Sequence, residues 1–151
     1  MTSTTTTTVK TAFLEALQSH KIPVNIFLAN GIKLQGRITQ FDDRNLILAN
    51  GGTPQVAKLR AISTIVPSQI PELADKDLVS DSEMIDAEFM DMLIEAKHFS
   101  KIYLLNGVGL EGYIKAYDES CVLLENKNIQ LVMETSISTI APHVPQTHNK
   151  Y

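Results

Sequence analysis

The sequence predicts a mainly β chain made of two tandem copies of one small domain. Each copy is a short N-terminal helix followed by a strongly bent five-stranded antiparallel sheet, and the copies are expected to assemble into a closed ring. Three observations predict this: an internal repeat at nearly constant spacing, helical periodicity at the start of each repeat, and period-two patterning after it. Asn30-Gly31-Ile32-Lys33-Leu34-Gln35-Gly36-Arg37-Ile38 matches Asn106-Gly107-Val108-Gly109-Leu110-Glu111-Gly112-Tyr113-Ile114 at an offset of 76 residues. Phe41-Asp42 returns as Tyr117-Asp118 at the same offset, and Phe13 and Leu17 match Phe89 and Leu93. Ile62-Ser63-Thr64-Ile65 returns as Ile137-Ser138-Thr139-Ile140 at an offset of 75. One extra residue therefore sits in the first copy, near Gly51-Gly52-Thr53-Pro54, where a turn absorbs it.

The elements follow in order. Phe13, Leu14 and Leu17 share one helical face, Thr11 is the expected cap, and Pro23 ends the helix. Ile85, Phe89, Met92, Leu93 and Ala96 form the corresponding stripe of the second copy. Val24, Ile26 and Leu28 then alternate with Asn25, Phe27 and Ala29, and Leu34, Gly36 and Ile38 with Lys33, Gln35 and Arg37, the period of a strand. Further strands are expected near 45–50, 55–60 and 61–66, and in the second copy near 100–106, 109–117, 121–126, 129–134 and 136–141. Asn30-Gly31 and Asn106-Gly107 are hairpin signals, and Gly36 and Gly112, inside strands, are the expected bend points.

About sixty residues per copy is little for an independent core, and a bent five-stranded sheet leaves two edges open. Both push toward edge-to-edge association into a ring. The apolar runs are far too short to span a bilayer. The start of the chain lacks the basic and apolar regions of a secretory signal, and the single cysteine, Cys121, precludes an intrachain disulfide. A cytoplasmic protein with no membrane association is the expectation. Net charge is −4, but residues 1–70 hold seven Lys/Arg against three Asp/Glu, while residues 71–151 hold six against fourteen. A basic half joined to an acidic half makes polyanion binding an expectation for the first copy rather than for the chain as a whole.

The division expected is a disordered Thr-rich tail at 1–10, a first domain at 11–67, an acidic linker at 68–82, a second domain at 83–142 and a tail at 143–151. As a flexible coil the linker would reach about 20 Å on average, enough for one chain to fill adjacent places in one ring.

Phe13-Leu14-Glu15-Ala16-Leu17, Pro23-Val24, Asn30-Gly31-Ile32-Lys33-Leu34-Gln35-Gly36 and Ala61-Ile62-Ser63-Thr64-Ile65-Val66-Pro67 together resemble the Hfq family, bacterial Sm-like RNA chaperones. The likeness is close over 11–67 and looser over 87–142. It implies a ring of six domains, here a trimer of tandem chains forming a pseudo-hexamer, with a helix-bearing proximal face and an opposite distal face. It also implies single-stranded RNA, small RNA or messenger, as the partner, and a role in post-transcriptional regulation.

Carried over residue by residue, the resemblance implies a distal site for adenine-rich RNA at Phe27, Gly31, Ile32, Lys33, Leu34, Gln35, Gln55 and Thr64. Phe27 stands where the family usually has tyrosine, and either ring stacks on a base. In the second copy Tyr103, Gln130 and Thr139 persist. Gly109 replaces the lysine and Glu111 the glutamine, which weakens that half-site toward phosphate. The proximal uridine site departs further: Arg44 stands at its aromatic position and Leu59-Arg60 at its Lys-His pair, with Ser120 and Glu134-Thr135 in the second copy. Arg44 and Arg60 are the candidates for phosphate contacts on that face, with plain solvent exposure as the competing reading. Gln18, Ser19 and Lys21, and Ile94, Glu95 and Lys97, stand where the family carries basic rim residues.

No metal-ligand spacing, phosphate-cradling loop or nucleophile motif is present, so neither catalysis nor a cofactor or metal is expected. His20, His98, His143 and His148 fall at unrelated repeat positions, Asp42-Asp43 reads as a turn, and Cys121 as strand packing. Two function classes remain: a distal-face RNA-binding regulator, and a protein-interaction scaffold ring with RNA binding largely lost.

Overall fold

In the computed structural model, residues 8–74, 78, 80 and 86–143 are described. The Thr-rich stretch up to residue 7, part of the acidic linker, Ile85 and the tail from 144 onward lie outside them. In the first copy, α1 (Val9–Ser19) precedes β1 (Val24–Leu28), β2 (Lys33–Phe41), β3 (Asn45–Asn50), β4 (Thr53–Lys58) and β5 (Ile62–Pro67). In the second, α2 (Ala87–Glu95) precedes β6 (Phe99–Leu104), β7 (Gly109–Tyr117), β8 (Cys121–Asn126), β9 (Asn128–Met133) and β10 (Ile137–Pro142). Short 3₁₀ turns, Leu59–Ala61 and Glu134–Ser136, link the last two strands of each copy.

Local chemistry sets the element ends. Thr8, not Thr11, caps α1: its hydroxyl accepts from the Thr11 amide, so Val9 and Lys10 belong to the helix rather than to a tail. Nor does Pro23 itself end α1. Lys21 adopts a left-handed conformation, the Ile22 amide donates to the Leu17 carbonyl, and the Lys21 amide donates to that of Gln18. This closes the helix as a Schellman turn, and Lys97 and His98 repeat it on α2. The fourth strand of the first copy begins at Thr53 and stops at Lys58, which leaves Arg60 in the 3₁₀ turn rather than in a strand.

All ten strands form one sheet, in the order β10-β6-β7-β8-β9-β5-β1-β2-β3-β4. The copies join where β5 pairs antiparallel with β9, Thr64 opposite Val132 and Ile65 opposite Leu131. The edges left open are β4 and β10. Beyond Gly36 the β2–β3 ladder shifts register between Ile38 and Gln40, and beyond Gly112 the β7–β8 ladder shifts between Ile114 and Ala116. Each sheet bends there.

One apolar core crosses the junction. It joins Phe13, Leu14, Leu17, Ile26, Leu46, Ile62 and Ile65 of the first copy to Cys121, Leu123 and Leu131 of the second. A smaller core of Met90, Leu93, Ile102, Ile114 and Leu124 belongs to the second copy alone. The expected α2 stripe is only partly right. Leu93 is buried and so is Met90, but Phe89 and Met92 are 39% and 42% exposed. Phe13 lies in the core that the two copies share. No described helix is long and apolar enough to cross a membrane.

Candidate nucleic-acid interface

Strand register builds the site. The Asn30-Gly31 turn closes with the Asn30 carboxamide accepting from the Ile32 amide, and Gly31 adopts a φ of 93° that a side chain would strain. That turn sets Phe27 opposite Lys33 and Asn25 opposite Gln35. Val24 and Ile26 turn into the core, so Asn25, Phe27, Lys33 and Gln35 share the opposite face. Phe27 is 37% exposed, and Lys33 and Gln35 are exposed beside it. Among the described residues no ion pair holds Lys33. An aromatic platform, an unengaged ammonium and two carboxamides within two cross-strand pairs can stack a base, meet a phosphate and read base edges.

The sequence-expected residues separate on this frame. Gly31 and Ile32 form the hairpin tip, with Ile32 53% exposed. Leu34 points the other way and packs against the core. Thr64 lies opposite Phe27 but is buried. Gln55 sits on the open edge strand β4, paired with Leu48. Gln130, a second-copy candidate, lies on β9, next to β5, on the side that Val132 shares with Thr64. The junction thus brings a second-copy glutamine toward the first-copy face. Asn25 was missed, although its period-two relation to Phe27 marks it.

The second copy repeats the frame with different chemistry. Tyr103 lies opposite Gly109 and Lys101 opposite Glu111, with Thr139 beside Tyr103 on β10. Lys101 Nζ is 3.2 Å from Glu111 Oε2 and 5.2 Å from the centre of the Tyr103 ring.

At the opposite end of the strands, Arg44 and Arg60 occupy neighbouring turns, tied by a bond from the Leu59 amide to the Arg44 carbonyl. Both side chains are exposed, and Lys58 Nζ donates to Asn45 Oδ1 nearby. Glu134 and Ser120 make the matching backbone bond in the second copy. Desolvation by its surroundings and the charge of Asp86 push the carboxyl of Glu134, an exposed residue, above its ordinary range. Two other polar residues have structural partners: Gln18 donates to the Thr39 carbonyl, and the His20 ring bonds the Ala16 carbonyl. Cys121 is fully buried, and burial raises its thiol pKa well above the usual value.

A helix followed by five antiparallel strands bent at a glycine, with the fifth strand of one unit laid on the fourth of the next, defines a tandem Sm-like chain. The family profile described as Hfq protein matches residues 9–72 and 86–147. The chain belongs to the Hfq family, as two repeats in tandem. It is 44% identical over 68 residues to the RNA-binding protein Hfq of Rhodospirillum rubrum, covering 45% of this chain and 82% of that one. It is 47% identical over 66 residues to that of Cereibacter sphaeroides, covering 44% and 86%. A crystal structure of the pleiotropic translational regulator Hfq aligns at 23% identity and a TM-score of 0.38, over 42% of this chain and 97% of its own.

Proposed function

We propose that the chain binds single-stranded, adenine-rich RNA through the outer face of its first copy and acts in cytoplasmic post-transcriptional regulation. The observation that carries this reading is the exposed Phe27–Lys33 pair, next to half-buried Asn25 opposite exposed Gln35, beside a buried Thr64. The relatives' description as RNA-binding proteins supports it. Gln130 joins this face from the second copy, Gln55 would reach the corresponding face across a chain-to-chain contact, and Tyr103 and Thr139 make the weaker second site. Arg44 and Arg60 are proposed phosphate contacts at the other end.

Three chains are proposed to close a pseudo-hexameric ring. One sequence in two environments supports this. Ile62, Ser63, Thr64 and Ile65 are all buried under β9, whereas the identical Ile137, Ser138, Thr139 and Ile140 on β10 are half-buried or exposed. By the internal repeat, β10 of one chain meets β4 of the next, with Ile140 opposite Val56 and Thr139 opposite Ala57.

Fluorescence-anisotropy titration with A-rich and U-rich oligomers at two salt concentrations tests the RNA reading. A-rich RNA should bind in preference to U-rich RNA, more tightly at low salt. Phe27→Ala with Lys33→Ala should weaken A-rich binding on the order of a hundredfold, about one stacked base and one phosphate contact. Undiminished binding by that variant would remove the assignment, and no binding to any oligomer at low salt would favour a protein scaffold.

A further inference from the structure

The outer face of the second copy differs from that of the first at four neighbouring positions. Lys101 stands where the first copy has Asn25, Gly109 where it has Lys33, Glu111 where it has Gln35, and His143 where it has Ser68. Lys101 Nζ bonds Glu111 Oε2 at 3.2 Å and lies 5.2 Å from the Tyr103 ring centre. His143 Nε2 approaches the same carboxylate oxygen at 3.4 Å, and its ring packs on Phe99, which meets Tyr113 edge-on at 5.2 Å. Gly109 makes room for this arrangement. A Cβ there would stand 2.9 Å from Lys101 Cε and 3.4 Å from Tyr103 Cε1. A lysine at 109, as at the matching Lys33, would crowd Lys101 against the ring.

We propose that Lys101 and Glu111 form an internal plug over Tyr103, so that each chain offers one open nucleotide face instead of two. The ammonium covers part of the aromatic surface on which a base would stack, held by attraction to the ring. Its charge is engaged by Glu111 rather than free for phosphate, and the Glu111 carboxylate faces any incoming backbone with like charge. His143 braces the same carboxylate oxygen. Tyr103 itself remains a competent platform, 45% exposed against 37% for Phe27 on the open face, so the plug acts through its charges rather than by hiding the ring. The face is therefore closed by two removable charges and not by loss of its aromatic. In a three-chain ring, open and plugged faces would alternate. This inference rests on the RNA-binding reading of the first copy, because it assumes that the shared frame takes nucleotides.

Glu111→Gln tests it, since it frees Lys101 and installs the glutamine of the first copy. In wild-type protein, titration with a labelled A-rich oligomer should saturate at one frame-sized site per chain, and in Glu111→Gln at two. In the Phe27→Ala/Lys33→Ala background, Glu111→Gln should restore affinity on the order of tenfold, and a further Tyr103→Ala should abolish the gain. Glu119→Gln, which makes the same charge change on an exposed turn, should restore nothing. If wild type binds and Glu111→Gln adds neither sites nor affinity, the plug is overturned while the first-copy site stands. An equal gain from Glu119→Gln, or a gain that survives Tyr103→Ala, also overturns it. If wild type does not bind, the first-copy reading fails. Binding gained by Glu111→Gln alone, and lost with Tyr103→Ala, would then still establish the plug, and no gain would remove both.

Discussion

Glu134 occupies the position that Leu59 fills in the first copy, and the two show what one exchange does at the same backbone turn. Leu59 is buried in the shared core. Glu134 is exposed at its surface, yet desolvation by its surroundings and the charge of Asp86 push its carboxyl upward from 4.5. A carboxyl raised in the fold contributes stability in its protonated form. That contribution is complete below the unfolded value and is lost as pH rises through the folded value. Glu134→Gln should therefore raise the melting temperature at neutral pH, with the gain fading as pH falls through the raised value and gone below 4.5; thermal melts across that range measure it. Asp42 carries the opposite sign. The amides of Arg44 and Asn45 bond its Oδ1 and hold the carboxyl below its ordinary value. The stability it contributes disappears as pH falls through that lowered value. Asp42 was legible in the sequence as a turn residue because its bonds are local. The environment of Glu134 was not, because Asp86 reaches it from a segment far away in the chain.

At the scale of elements, the two bends rest on missing atoms. A Cβ on Gly36 would lie 2.5 Å from the Ala49 carbonyl oxygen, and one on Gly112 would lie 2.5 Å from that of Glu125. Both obstacles are backbone in the adjacent strand, so relief requires opening the ladder rather than turning a side chain. Gly36→Ala and Gly112→Ala should each cost about 2–3 kcal/mol, the range of an overpacked interior site, read from urea unfolding midpoints. These glycines and the Asn-Gly turns were readable because strand pairing next to a tight turn is fixed within a few residues. Helix α2 was read less well. Periodicity placed Phe89 and Met92 on a buried stripe with Leu93, and both emerge exposed. The pattern of a helix records every surface it ever meets, including one that a single chain does not supply. In α1 the matching Phe13 is fully buried in a core to which the second copy contributes.

At the scale of the whole molecule, the pairing of β5 with β9 was beyond sequence reading. Ile-Ser-Thr-Ile occurs twice with identical residues, and nothing local says which copy is covered. Nor does sequence order show that Gln130, a second-copy residue, lies on the strand next to β5 of the first copy. The repeat does supply an internal control for assembly. Leu131, inside the junction, is fully buried, whereas Val56, its first-copy counterpart on β4, is 56% exposed in the single chain. Lysine at Leu131 buries an unpaired charge in the core and should unfold the protein. Lysine at Val56 meets water within the chain and should leave the fold intact, but it would set a charge against Ile140 at the proposed contact between chains. Light scattering should give about 50 kDa for wild type, three chains of 16.7 kDa, and 16.7 kDa for Val56→Lys with an unchanged far-ultraviolet circular dichroism spectrum. A Val56→Lys protein that keeps the wild-type mass would rule out β4 as the contact edge. A wild type of 16.7 kDa would mean that the open edges of the sheet stay open in solution.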